Sequence, residues 1–181
     1  MKHYYFLIIQ MSILFCVSCV PENDEDHHYY IIFNNNTGKD LYVLDSSSYP
    51  DTLAYFVSRF ADYPIDNYFI NREYCKVTAN SHNNEVLRLP WERTYERAFY
   101  GHEGIPKDYK NDTMMVFVWD AEIYNKLTLH DRVKDSILLQ DAFRVRYDLS
   151  YQDLQRLNWT LSYPPTENMK TIKMWPRYSQ Q

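Results

Sequence analysis

Seven consecutive residues, Thr113 to Trp119 (TMMVFVW), place the tightest limit on what this chain can fold into. The run is bounded by Asp112 and Asp120 and contains no charge. A half-exposed strand alternates apolar with polar side chains. A continuous apolar run of strand length suits a central strand buried on both faces. Composition points the same way, with 17% aromatic residues and 18 Tyr, since aromatic and β-branched side chains favour strands. The three glycines, Gly38, Gly101 and Gly104, cannot supply G-x-G-x-x-G or G-x-x-x-x-G-K, so the usual phosphate cradles are missing. Neither G-x-S-x-G nor H-E-x-x-H occurs.

Around that strand the pattern predicts short elements. Tyr29 to Phe33 and Leu41 to Leu44 read as the arms of a β-hairpin across the turn-forming cluster Asn34 to Lys39. Asp45 to Asp51 is a loop by composition, and Thr52 to Phe60 is left open between strand and short helix. Tyr74 to Thr78 and Glu85 to Leu89 are short strands, the second halted by Pro90. Trp91, Tyr95, Ala98 and Phe99 recur at helical spacing. Gly101 to Asp112 is a polar loop. Asp120 is placed to cap a helix over AEIYNKL, and Leu129 to Asp135 is a further helical turn.

Ala142 to Tyr147 alternates, with Phe143, Val145 and Tyr147 inward and Arg144 and Arg146 outward. Ser150 and Asp153 have capping-box spacing at the head of a short helix. Trp159, Leu161 and Tyr163 share one face of a strand that Pro164-Pro165 ends. Residues 164–181 show no period and are expected to form a loose tail. The expected fold is mainly β, an antiparallel two-layer sandwich with a few short helices over residues 29–163. The alternative is an α+β layout with helices covering one sheet face.

The N-terminus carries an address. Lys2 and His3 precede the uncharged run Tyr4 to Val17, Ser18-Cys19 closes it, and Val20 to Asp26 (VPENDED) turns acidic. This order is that of a secretory signal. The cysteine at the junction makes residues 1–18 resemble a bacterial lipoprotein signal cleaved before Cys19, although Cys16 stands where such signals carry an aliphatic residue. The competing reading is a plain cleaved signal. Lipidation of Cys19 implies two acyl chains, and each buried methylene contributes about 0.8 kcal/mol, enough for stable anchoring without a spanning helix. Residues 19–28 would form an acidic tether. The acids after the cysteine resemble the export signal of Bacteroidetes surface lipoproteins, which implies the outer face of the outer membrane. Cleavage leaves Cys75 as the sole unmodified cysteine, so no intramolecular disulfide is expected and Cys75 is read as a small buried hydrophobe.

The segment RYDLSYQDLQRLNWTLSYPP (Arg146 to Pro165), with TMMVFVWD and NNNTGKDLYVLDSSSYPD upstream, resembles an uncharacterised family of Bacteroides lipoproteins. The resemblance implies the same address and carries over no functional residue. Asp51-Thr52-Leu53, Asp112-Thr113-Met114 and Asp135-Ser136-Ile137 resemble the Bacteroidetes O-glycosylation pattern.

Removing Lys2 leaves 18 of the 19 bases against 24 acids, a net charge of about −6, of which four acids lie in the tether. A slightly acidic domain lacks the footprint of a nucleic-acid binder, and that class is set aside. Asp120 and Glu122 could act as paired carboxylates, with helix capping as the plainer reading. His27-His28 reads as solvated linker rather than a metal site. Trp119 and Trp159 are assigned to the core, and Trp91, Trp175 and His102 in the loop Gly101-His102-Glu103-Gly104 are the candidate ligand-binding residues. No cofactor or metal is implied. The expected function is a membrane-anchored binding or accessory domain for a glycan or protein ligand. The alternatives are an envelope hydrolase using carboxylates or His102, and a structural subunit of an envelope complex.

Overall fold

The computed structural model describes residues 27–47, 49–50, 75–90, 93–101, 103–104, 107–126 and 141–180. Residues 1–26 with Cys19, the segment 52–60, Trp91, His102, the turn at 129–135 and two of the three glycosylation-like patterns lie outside the described residues. Among the described residues no helix is long and apolar enough to cross a membrane.

The elements are β1 (Ile32–Asn35), β2 (Leu41–Ser46), β3 (Lys76–Val77), β4 (Ser81–Asn83), α1 (Tyr95–Tyr100), β5 (Met114–Asp120), α2 (Ala121–Lys126), β6 (Phe143–Leu149), α3 (Tyr151–Arg156), β7 (Thr160–Tyr163) and β8 (Lys173–Trp175). Five strands form an antiparallel sheet in the order β3-β2-β5-β6-β8. The other three form a sheet in the order β4-β1-β7, with β1–β4 antiparallel and β1–β7 parallel. The fold is mainly β, two sheets with a few short helices, as the sequence suggests.

β5 is buried at every position. Met114, Val116 and Val118 face the interior between the sheets, with Val43, Val145 and Tyr147 beside them and Phe33 and Leu161 of the smaller sheet in the same cluster. Met115, Phe117 and Trp119 point the other way, into a second cluster with Tyr42, Phe143 and α2's Ala121 and Tyr124. Burying a large apolar side chain contributes roughly 1.5–3 kcal/mol, so a strand buried on both faces is the chief stabilising element. The Tyr147 hydroxyl donates to the Ser162 carbonyl at 2.7 Å and ties the two sheets across the first core.

The expected hairpin does not form: β1 and β2 belong to different sheets. Asn35, 1% exposed, explains the corner. Its Nδ2 donates to the carbonyls of Lys39, Val77 and Thr78 at 2.7, 3.1 and 2.9 Å, and its Oδ1 accepts from the Thr37 amide and hydroxyl. One buried amide thus satisfies a bend that would otherwise strand backbone carbonyls. Glu85 to Leu89 is likewise not a regular strand. It meets the chain before β1 through the Ile31 amide to the Leu87 carbonyl, the Leu89 amide to the Tyr29 carbonyl and one Tyr30–Arg88 bridge. Besides β7, β1 pairs with β4, the polar Ser81–Asn83, which has no hydropathy signal.

Three helix boundaries follow their caps. Thr94 Oγ1 accepts the Arg97 amide at 3.3 Å ahead of α1, Asp120 Oδ1 accepts the Ile123 amide at 3.1 Å ahead of α2, and Ser150 with Asp153 forms the capping box of α3. α3 ends in a Schellman turn: the Trp159 amide reaches the Leu154 carbonyl and the Asn158 amide reaches the Gln155 carbonyl. Asn158 and Trp159 both lie in the left-handed region, at φ 49° and 55°.

Three further expectations are corrected. The strict alternation of Ala142 to Tyr147 is broken by a register shift opposite Val118 and Trp119, which puts Phe143 in the second core while Val145 and Tyr147 stay in the first. The expected tether, residues 19–28, reaches one residue too far. His28 stacks on Trp159 at 4.0 Å and its Nδ1 lies 2.8 Å from Glu96 Oε1, so desolvated aromatic contact and an ion-pair geometry dock it. Residues 164–180 do not form the expected loose tail. Met169, Ile172 and Met174 are buried, and β8 pairs with β6 as an edge strand. Three apolar anchors spread over six residues have no regular period, so the sequence pattern does not reveal this pairing.

Candidate functional site

Edge strand β8 and the turns beside it form the candidate site. β8 alternates: Met174 points into the first core, while Lys173 and Trp175 point outward. Trp175 sits opposite Arg146 and Lys173 opposite Asp148 in the β6 pairing. The Trp175 side chain is 51% exposed, with its ring centroid 5.2 Å from that of buried Phe143. Phe143 therefore supports the indole from beneath, and the register shift that turns Phe143 to this face supplies the support.

Charge surrounds the indole. Arg146 Nε lies 2.8 Å from Asp148 Oδ1, and an Arg146 terminal nitrogen donates to Oδ2 at 3.1 Å. Lys173 Nζ donates to the Tyr49 hydroxyl at 2.7 Å and lies 3.3 Å from Asp148 Oδ2. The Tyr49 bond and the Asp148 carboxylate hold Lys173 above its ordinary pKa, outweighing the opposing effect of burial. Asp148, 4% exposed, is thereby committed to two cations.

On the C-terminal side lies an open groove of about 400 Å³. Ile172 and Met174 contribute its apolar lining and Lys170, Lys173, Arg177 and Tyr178 its polar lining. Lys170 pairs with Glu167, which also accepts from the Tyr178 hydroxyl at 3.1 Å. Arg177 is exposed and has no carboxylate partner among the described residues. Within residues 164–180 three bases stand against one acid, in a chain whose net charge is −5. An exposed indole beside fixed cations and a shallow apolar floor can stack on a flat or ring-shaped ligand and pair with its anionic groups.

Of the sequence candidates, Trp175 is exposed as expected, and Cys19, Trp91 and His102 lie outside the described residues. Trp119 and Trp159 are buried, as assigned. Asp120 and Glu122 do not form a working pair. Asp120 is taken by the α2 cap, Arg144 and Lys39, at 3.1, 2.9 and 3.2 Å. Burial pushes its carboxyl pKa up, but these three bonds together hold it below the usual range. Glu122 is exposed and paired with Lys126 at 2.6 Å. Cys75 is a free thiol packed against the second core, and burial, reinforced by the Asp45 carboxylate, raises its pKa. Lys173 and Arg177 lie in a segment without a clear period, and Arg146 and Tyr49 reach the site from elsewhere in the chain; the short alternation of Ile172, Lys173, Met174 and Trp175 is the one local signal of the edge strand. Comparison with protein-family models, with curated proteins and with solved structures finds no match for this chain.

Proposed function

We propose that this chain is a lipid-anchored envelope protein of a bacterium whose globular part captures a glycan at the edge around Trp175. The exposed indole, backed by Phe143 and flanked by Lys173, is the observation that supports a binding role. The order of charge and hydropathy at residues 1–26 supports export and anchoring through Cys19. A hydrolase built on Asp120 and Glu122 is disfavoured, since the first carboxylate is fully engaged and the second faces solvent.

The test uses the full chain expressed in a Gram-negative host. Metabolic labelling with palmitate is expected to mark the protein and to fail in Cys19→Ser; an unlabelled wild type would remove the anchor. A glycan array probed with the purified protein and with Trp175→Ala is expected to give hits that the variant loses. Hits retained by the variant, or an array without hits, would overturn the glycan reading.

A further inference from the structure

We propose that the ligand of this edge is an acidic saccharide, one carrying carboxylate or sulfate groups, seated in the groove that Lys170, Lys173 and Arg177 line beside the exposed Trp175; the inference rests on the glycan-capture reading and narrows it. Charge comes first. Lys170, Lys173 and Arg177 line the groove; Lys170 pairs with Glu167, and Lys173 shares Asp148 with Arg146. Asp148 is buried and already shared between Arg146 and Lys173. Arg177 reaches solvent without a carboxylate partner among the described residues. An unpaired exposed guanidinium offers a planar fork that matches a carboxylate or sulfate with two parallel bonds.

Shape comes second. The opening is a shallow, open groove of about 400 Å³. A concavity of that size suits a short run of sugar rings, whereas docking on a membrane needs a broad, evenly presented surface. The indole comes third. Trp175 and Lys173 stand on the same outward face of β8, two residues apart, so a ring stacked on the indole has its substituents within reach of the ammonium. Neutral sugars could use the indole alone. They would leave the cations solvated and gain nothing from them.

The experiment titrates the full chain, followed by tryptophan emission and calorimetry, with galacturonate oligomers, sulfated heparin oligomers, the carboxyl-reduced galacturonate oligomers, a single-stranded oligonucleotide and phosphatidylglycerol vesicles. At least one acidic oligomer is expected to bind at least tenfold more tightly than the reduced, neutral one, and to weaken as salt rises. Arg177→Glu is expected to weaken that binding at least tenfold while leaving the melting temperature unchanged, because the side chain is exposed. Trp175→Phe is expected to abolish the emission change. Equal binding of acidic and reduced oligomers, both lost in Trp175→Ala, would overturn the acidic assignment and leave glycan capture standing. Binding of the oligonucleotide or the vesicles alone, or of no probe, would overturn both.

Discussion

Replacing Asp120 separates two roles of one carboxylate. The side chain is 1% exposed at the junction of β5 and α2. One oxygen caps α2 through the Ile123 amide, and the other accepts from Arg144 at 2.9 Å and Lys39 at 3.2 Å. Asn caps a helix as well as Asp does, so Asp120→Asn removes the charge and keeps the cap. A hydrogen bond to a charged group contributes about 1.5–3 kcal/mol. Lys39 is 58% exposed and adds little, so nearly all of this belongs to Arg144, 25% exposed. Asp120→Ala also removes the cap, about 1 kcal/mol more. For a domain of this size 1 kcal/mol moves the melting point about 2–4 °C, so the Asn variant should melt roughly 3–12 °C low and the Ala variant about 2–4 °C lower still. Because the folded pKa of Asp120 is depressed, its stabilisation is present above the ordinary carboxylate range and disappears as pH falls through the folded value. The gap between wild type and Asp120→Asn should therefore narrow as pH is lowered below about 4. Thermal unfolding followed by circular dichroism across pH measures both. An Asn variant that melts with the wild type at neutral pH, or a gap that persists unchanged in acid, would refute the assignment of the stability to the Arg144 pair.

Glu96→Gln should loosen the N-terminal latch, since Glu96 accepts from the His28 amide at 3.1 Å, faces His28 Nδ1 at 2.8 Å and accepts from the Tyr151 hydroxyl at 3.3 Å. Hydrogen exchange at residues 28–30 should quicken about tenfold, for a loss near 1.4 kcal/mol, and unchanged exchange would dismiss the latch. Burial pushes the Glu96 carboxyl pKa up, but its bonds to His28 and Thr94 prevail and depress it, so the latch should weaken as the medium turns acidic. Asn158→Val should cost about 1–2 kcal/mol in urea unfolding because a β-branched side chain resists φ near 49°, whereas Asn158→Gly should cost nothing. Leu161→Ala should cost about 2–5 kcal/mol and be read in the same assay, since Leu161 is fully buried where the smaller sheet meets the first core.

Patterns confined to one element were legible in the sequence. The unbroken run of β5 told of burial on both faces, and Asp120 and Ser150 marked helix starts through local hydrogen bonds that their neighbours supply. What escaped was set by partners far along the chain. Asn35 reads as a turn former, yet its amide bonds carbonyls more than forty positions away and sends β1 and β2 to different sheets. Phe143 changes face because β6 carries an extra residue, Arg144, where it pairs Val118 and Trp119, which nothing in AFRVRY encodes. β8 hides in an aperiodic segment because three residues are too few to show alternation. The candidate site inherits this blindness. Trp175 could be singled out by its residue type, but its cationic neighbours come from β6 and from the turns around β8.

The latch at His28 bears on how the proposed binding edge would work. If Cys19 carries the acyl chains, only residues 20–27 separate it from a residue pinned between Glu96 and Trp159. Fully extended chain spans at most about 3.3–3.6 Å per residue, so the docked domain could stand no more than roughly 30 Å from the bilayer surface. An acidic ligand approaching the same surface meets a cleaved chain of net charge about −6, and long-range repulsion opposes it. Screening confines that repulsion to about 8 Å at physiological ionic strength, so the local excess of bases between Lys170 and Arg177 decides the interaction once contact is made. A patch of this kind selects for ligands that present charge and a stackable ring together, because neither the net field of the protein nor the indole alone would hold them.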